Sequence, residues 1–311
     1  FRSRHCPSCL TRTLSNGETL YLHPVLEAKI VTSEGLSLSV ETEFIENGDG
    51  DWYSGDDGKQ DCELTAAGRL ARNIKASFPQ LHLCVTGDSL YGCGRAIQNC
   101  RDYEWDFVFV FKEGRTPALW KEFQALLTLS PDNRLSVTPS DGTVEDYRWI
   151  NGLLHEDSDG RSHRINAIQC IQTRGEEVTT FGWMTSFTVT GANVAEIAAK
   201  GGRNRWKIEN EGFNIQKNSG LNLEHGYSTD PDLMRAYYVL LQIAHMILQL
   251  VEKGSPLKHL ARLCGKTPDR LWGGLANLAR RFLDAFRYCR LPDVAFALVA
   301  AGSCQIRVDS S

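Results

Sequence analysis

Two acids stand where a carboxylate could meet a ligand. Asp88 follows Leu81-His82-Leu83-Cys84-Val85-Thr86-Gly87, a short apolar run of strand type that ends on a glycine. In an open α/β sheet, ligands bind in the crevice past the carboxyl ends of strands. The same aspartate would look no different as a cap on the next helix. Glu209 lies within Arg203-Asn204-Arg205-Trp206-Lys207-Ile208-Glu209-Asn210-Glu211-Gly212-Phe213-Asn214-Ile215-Gln216-Lys217. On a helix, offsets of four and seven residues return to within about 40° of the starting direction. Arg205, Glu209, Phe213 and Gln216 then share a face, with Lys217 about 80° round from Glu209. That face offers a carboxylate flanked by two cations. Taken alone, it also fits an Arg205–Glu209 surface pair worth about 0.3–0.5 kcal/mol.

Other residues carry weaker signals. His5-Cys6-Pro7-Ser8-Cys9, with His23, offers thiol and imidazole ligands for zinc. A lone CxxC lacks the second pair of a full zinc module, and a structural turn explains it as well. Trp183 could stack a base but fits better as packing for its strand. Tyr237, Leu240, Leu241, Ala244, Ile247 and Leu248 form a helical stripe expected in the core.

The elements that must hold these groups read as α/β. Leu20–Val31 and Leu36–Phe44 form a hairpin about Ser33-Glu34-Gly35. Asn47–Gly58 is a polar loop. Asp61 caps a helix running through Ala66, Leu70 and Ile74. The strand before Asp88, a helix over Arg95–Arg101 and a strand over Asp106–Phe111 follow. Residues 115–190 read as a β-rich insertion, with strands near Leu135–Thr138, Tyr147–Ile150, Ile165–Thr173 and Thr179–Val189. Helical periodicity returns at Val194, with breaks at Asp230-Pro231, Ser255-Pro256, Thr267-Pro268 and Leu291-Pro292.

Composition narrows the class. The chain has 311 residues, ten cysteines and a formal net charge of -4, and its apolar and charged fractions of 42% and 23% are those of a globular chain and not a disordered one. Charge is unevenly placed: Glu41–Glu63 is acidic, and the segment from Lys253 to Arg290 is basic, either a phosphate-binding face or solvated helix faces. The longest apolar stretch, Ala236–Val251, carries Gln242, His245 and Gln249 and is shorter than a bilayer span. No signal peptide is visible, so most cysteines are expected to be reduced core residues in a cytoplasm. The opening at Phe1, without an initiating Met, suggests a fragment.

The stretch "RWKIENEGFNIQKN…LNLEHGYS" (Arg205–Ser228) resembles the C-terminal acid motif of insertion-sequence DDE transposases. "LCVTGDSLYG" (Leu83–Gly92) is similar to their strand bearing the second acid, and "KQDCELTAAGRL" (Lys59–Leu70) to the helix before it. In the branch of that family with a β-strand insertion, an Arg precedes the third acid by four residues and a Lys follows it by about seven. Arg205 and Glu209 match this spacing. Lys217 falls one position late, behind Gln216, and Gly202 replaces the usual Tyr.

The resemblance implies a ribonuclease H-like mixed sheet in the α/β class, with residues 1–114 and 191–228 as the catalytic core, 115–190 as the insertion and 229–311 as a helical C-terminal region. It implies Asp88 and Glu209 as catalytic ligands of two Mg²⁺ ions, for which Mn²⁺ can substitute, and Arg205 and Lys217 as holders of DNA phosphate. The partner would be double-stranded DNA, both transposon ends and target, bound by a homodimer in a bacterial cytoplasm near the nucleoid. No membrane partner is expected. By the same resemblance the first Asp should lie a few residues upstream of Phe1, leaving this chain inactive. A stand-alone nuclease and a catalytically inactive DNA-binding remnant are the rival readings.

Overall fold

Runs of β-branched and aromatic residues broken by Gly and Asn give this chain short strands at first, then helices. The computed structural model describes residues 5–6, 8–47, 60–157, 159–288 and 290. The polar loop from Gly48 to Gly58, the opening Phe1–Arg4 and the Leu291-Pro292 break lie outside the described residues. Two compact units are built on Cys9–Glu27 with Glu41–Trp206, and on Phe1–Ser8 and Ala28–Val40 with Lys207–Ser311.

The expected strand Leu20–Val31 divides at His23-Pro24, and its first part pairs with residues 10–13 in a hairpin the sequence analysis did not include. Strands β1 (Leu10–Thr13) and β2 (Thr19–Leu22) pair antiparallel, Leu10 opposite Leu22 and Thr13 opposite Thr19. Asn16-Gly17 makes the connection, Gly17 at φ +82° where a side chain would be strained. β3 (Val25–Val31) and β4 (Ser37–Phe44) form the expected second hairpin as a separate two-stranded sheet.

Helix α1 (Glu63–Ser77) buries Ala66, Leu70 and Ile74 as expected. Asp61 is not its cap. The N-cap position is Cys62, and the Asp61 carboxylate instead takes Arg69 Nη2 at 2.6 Å. The guanidinium, also bound to Glu43, is the stronger partner for a buried carboxylate.

Six strands make one mixed sheet: β5 (Cys84–Gly87), β6 (Asp106–Val110), β7 (Arg134–Val137), β8 (Val144–Glu156), β9 (Ser162–Arg174) and β10 (Glu177–Thr185). Their order is β5-β6-β10-β9-β8-β7, with β5 and β6 parallel and the other neighbours antiparallel. The strands of 115–190 therefore extend the same sheet that carries Asp88. The segment, expected to be β-rich, also contains a helix that the sequence analysis did not name, α3 (Pro117–Leu129). Leu119, Phe123 and Leu127 recur every four residues and are buried, and Pro117 suits a first turn.

Alternate residues of β6 supply opposite faces of the sheet. Phe107, Phe109 and, just beyond the strand, Phe111 are almost fully buried; Phe111 meets Trp120 and Phe123 of α3. Val108 joins Tyr147, Trp149, Ile168, Cys170 and Trp183 in a cluster closed by Val194 and Ala198. Trp183, 3% exposed, is packing and offers no face to a base. Helix α2 (Gly94–Asp102) buries Ile97 and Cys100. The cysteines divide: Cys6, Cys9, Cys100 and Cys170 are buried, while Cys62, Cys84 and Cys264 are exposed, against the expectation that most sit in the core.

After the single turn α4 (Val194–Glu196) come two π-helical segments, Ile197–Arg203 and Ile208–Asn214, then α5 (Ile215–Asn218), α6 (Pro231–Lys253), α7 (Ser255–Leu263), α8 (Pro268–Trp272) and α9 (Leu275–Tyr288). Asp230 caps α6, its Oδ1 accepting from the Asp232 and Leu233 amides. The stripe expected in the core is partly outside: Leu240 is 63% and Ile247 49% exposed. Leu241 and Leu248 are buried as expected, and Tyr238, Gln242, His245 and Gln249 face inward beside them. Pro231–Leu263 is long and apolar enough, by length and composition, to cross a membrane. The buried Gln242, His245 and Gln249, each hydrogen-bonded, are unlike a lipid-facing surface.

Candidate active site

Asp88 lies just past the carboxyl end of β5, an edge strand of the six-stranded sheet, and its side chain is exposed. The turn that presents it is fixed locally. Asp88 Oδ1 accepts the Leu90 amide at 2.8 Å, and the Tyr91 amide donates to the Asp88 carbonyl at 3.2 Å. Tyr91 then folds back over Gly87, where an added Cβ would lie 2.8 Å from its ring. The glycine before the acid is therefore required by packing. Tyr91 Oη donates to Glu63 Oε1 at 2.8 Å, tying the turn to the start of α1. Burial, and then that bond to Glu63, pushes the Tyr91 phenol well above its usual range, so it stays a donor. As a helix cap Asp88 is excluded: α2 starts only at Gly94, with Cys93 at the N-cap.

Glu209 belongs to the other unit and is exposed on the second π-helical segment. The expected continuous helix is interrupted. Asn204 and Arg205 form a turn between the π-helical segments, and helical backbone resumes at Trp206. With i→i+5 bonding from Ile208, the even spacing of Arg205, Glu209, Phe213 and Gln216 along one α-helical face no longer applies. Gln216 is fully buried, and its Nε2 lies 2.7 Å from Gln242 Oε1 and 2.9 Å from His245 Nδ1. It is a core residue.

Lys217 is exposed, its Nζ 2.7 Å from Glu224 Oε1. Arg205 is half-buried and closes the unit that holds Asp88. The structure thus places Asp88 and Arg205 in one unit, and Glu209 and Lys217 in the other.

The segments around these residues are shaped by glycines. A Cβ on Gly201 would come 2.6 Å from Val108, and one on Gly202 would overlap the Trp183 indole. Gly202 lets the first π-helical segment sit on the sheet. In the second, Lys207 Nζ donates to the Thr32 and Ser33 carbonyls at 2.9 and 2.6 Å. Glu211 lies against Gly35, and a Cβ on Gly212 would meet Ser37 Oγ at 3.0 Å. Glu209 is thereby presented from a segment clamped on the β3–β4 turn, with Lys29 over the Phe213 ring at 5.7 Å. Lys207 and Glu211 carry this positioning. In sequence they show only as the charged neighbours of Glu209.

Most of the basic residues from Lys253 to Arg290 lie on exposed parts of α7 to α9, Arg262, Lys266, Arg270, Arg280, Arg281 and Arg287 among them. No protein-family model matches the chain, and no curated protein matches it.

Proposed function

We propose that this chain is a DDE-type transposase with a ribonuclease H-like core, cutting and rejoining DNA with divalent metal ions. The observation that carries the reading is the placement of Asp88, an exposed carboxylate on a fixed turn at the carboxyl end of a parallel edge strand. The motif at Arg205–Ser228 supplies the acid that matches the family's third, Glu209, also exposed on a clamped helical segment. The sheet order supports the reading too. Asp88 follows the first strand of the parallel pair β5–β6, where the carboxyl ends of parallel strands leave a crevice for a ligand.

The donor set suits Mg²⁺, a hard ion that takes carboxylate oxygens and keeps several waters, as exposed acids permit. Two such ions, held by Asp88 and Glu209, would stabilise the attacking and leaving oxygens of an in-line displacement at phosphorus. The chain's own work is then positional. Gly87, Tyr91 and Glu63 fix the turn of Asp88, and Lys207 and Glu211 fix the segment of Glu209. Arg205 and Lys217 would take DNA phosphate, Lys217 by exchanging its exposed partner Glu224. The exposed cations of α7–α9 would add a sequence-independent phosphate face despite the net charge of -4.

The test is a nicking and strand-transfer assay on DNA carrying the flanking repeats, using protein from the whole open reading frame. Cleavage and joining that need Mg²⁺ or Mn²⁺ and stop with chelator support the proposal. Cleavage without joining points to a nuclease, and DNA binding without cleavage to an inactive remnant.

A further inference from the structure

At the base of the β1–β2 hairpin, Cys6, Cys9 and His23 bring two thiols and an imidazole together, with every pair of ligand atoms within 4.8 Å. Cys6 and Cys9 are 7% and 5% exposed. They come from one short turn, which chain connectivity alone keeps compact. His23 arrives from the residue just after β2, and its Nε2 lies 3.0 Å from Cys9 Sγ. The opposite ring nitrogen, Nδ1, lies 3.4 Å from Glu46 Oε1, with the two side chains 8% and 10% exposed.

That arrangement has the order of a metal centre: thiolates, imidazole, then a carboxylate on the far side of the ring. A carboxylate behind a ligating histidine fixes the tautomer that leaves Nε2 as the donor atom and raises its basicity. The surroundings hold the pieces in place. Asn47, next to Glu46, donates from Nδ2 to the Cys9 carbonyl at 3.2 Å and accepts the Asp61 amide on Oδ1 at 3.3 Å. Gln60 accepts the Thr11 amide and donates to the Thr11 carbonyl at 2.9 Å. The cysteine turn, β1, Glu46 and the lead-in to α1 thus meet at one point, far apart in sequence and short of apolar area.

We propose that Cys6, Cys9 and His23 bind a zinc ion, with Glu46 as the carboxylate that orients His23. Soft thiolates with an imidazole select zinc over magnesium or calcium. Zn–S and Zn–N bonds of about 2.3 and 2.0–2.1 Å on a tetrahedral ion set the ligand atoms roughly 3.4–3.8 Å apart. The present separations, from 3.0 Å up to 4.8 Å, bracket those values. Side-chain adjustments of about an ångström would seat the ion. Three protein ligands leave one position for water or a further side chain. The ion would staple the opening hairpin to the residues after β4, where a small two-stranded sheet has little core of its own. The inference is independent of the transposase reading and of its Mg²⁺ ions.

The experiment is metal analysis of the 311-residue chain, expressed with zinc in the medium and purified without chelator. About one zinc per chain is expected. Cobalt(II) exchanged into the protein should show thiolate-to-metal charge-transfer bands and tetrahedral d–d bands. C6S, C9S and H23A should each lose the metal, and C264S, at an exposed cysteine, should keep it. E46Q should bind zinc roughly 10–100-fold more weakly. Should the ligand variants not fold, the wild-type chain decides. Stripping it with chelator should lower its melting temperature, and zinc alone should restore it. Folded wild-type protein with no zinc, no cobalt bands and no melting shift on chelation would overturn the proposal, as would a Cys6–Cys9 disulfide in its place.

Discussion

The interiors of the two units are built from different material. The six-stranded sheet buries hydrocarbon and rings: Val108, Tyr147, Trp149, Ile168 and Trp183, sealed by a glycine pair that brings a helical segment down onto the indole. Helix α6 turns amides and an imidazole inward. Gln242 Oε1 takes both Lys29 Nζ and Gln216 Nε2 at 2.7 Å, and His245 Nδ1 lies within reach of the Gln216 and Gln249 amides. Gln249 also bonds the Ser37 amide and carbonyl, at 2.7 and 2.9 Å. The first kind of core gains from area and fails through cavities or overlaps. The second contributes less net free energy, but fixes a single register because an unpaired buried amide is costly.

Five perturbations separate the two kinds of core. The largest effects belong to the sheet. Trp183→Ala should cost about 3–5 kcal/mol through the cavity it leaves, and Gly202→Ala about 1–3 kcal/mol through overlap with the same ring. Chemical denaturation of each variant gives the values, and a Gly202→Ala protein as stable as wild type would show that the segment is not seated on Trp183.

Acid should act on the α6 core. Burial, and then the nearby Lys29 charge, push His245 down to about 4. The unfolded chain binds that proton near 6.5 and the folded chain only near 4. Between those values the unfolded state holds more protons, so stability is lost as pH falls from 6.5 to 4 and levels off below. The slope is about 1.4 kcal/mol per pH unit at most, and His245→Gln should flatten it. Melting curves across that range test the sign. Next, Gln242→Ala should cost about 1–3 kcal/mol by stranding Gln216 and Lys29, and pairing it with Gln216→Leu should recover part of the loss. Lys217→Ala should change stability least, by about 0–1 kcal/mol, because its pair with Glu224 is exposed. If Lys217 serves DNA, the same variant should weaken DNA binding while stability stays level.

The contrast also governs what could be read in advance. β3, β4, α1, α2 and β6 were legible because an apolar period and turn residues agree there. So were the strands of the antiparallel part, though not their membership of one sheet with β5, since pairing partners leave no local mark. The helix α3 carries its own signal in Leu119, Phe123 and Leu127, passed over because the strands that follow it make the whole segment look β-rich. The β1–β2 hairpin had its Asn16-Gly17 signal, overshadowed by the polar residues around it. For α6, hydrophobicity finds Leu241 and Leu248 but sets the buried face off by part of a turn, toward Leu240 and Ile247. Which amides are buried depends on partners such as Lys29 and Ser37, some two hundred residues away. Asp88 and Glu209 were legible as acids in place and company. The turn at Asn204–Arg205 and the π-helical bonding were not, and neither was the close approach of Gly201 and Gly202 to Val108 and Trp183, which depends on residues far along the chain.

The central claim is that Asp88 and Glu209 act as metal ligands in phosphoryl transfer on DNA. Its most direct test is cleavage of end-bearing DNA in Mg²⁺ by protein from the whole open reading frame, comparing wild type with D88N and E209Q, with DNA binding measured in parallel. The account predicts that each substitution abolishes cleavage while binding stays near wild type. Near-normal cleavage by either variant would contradict it.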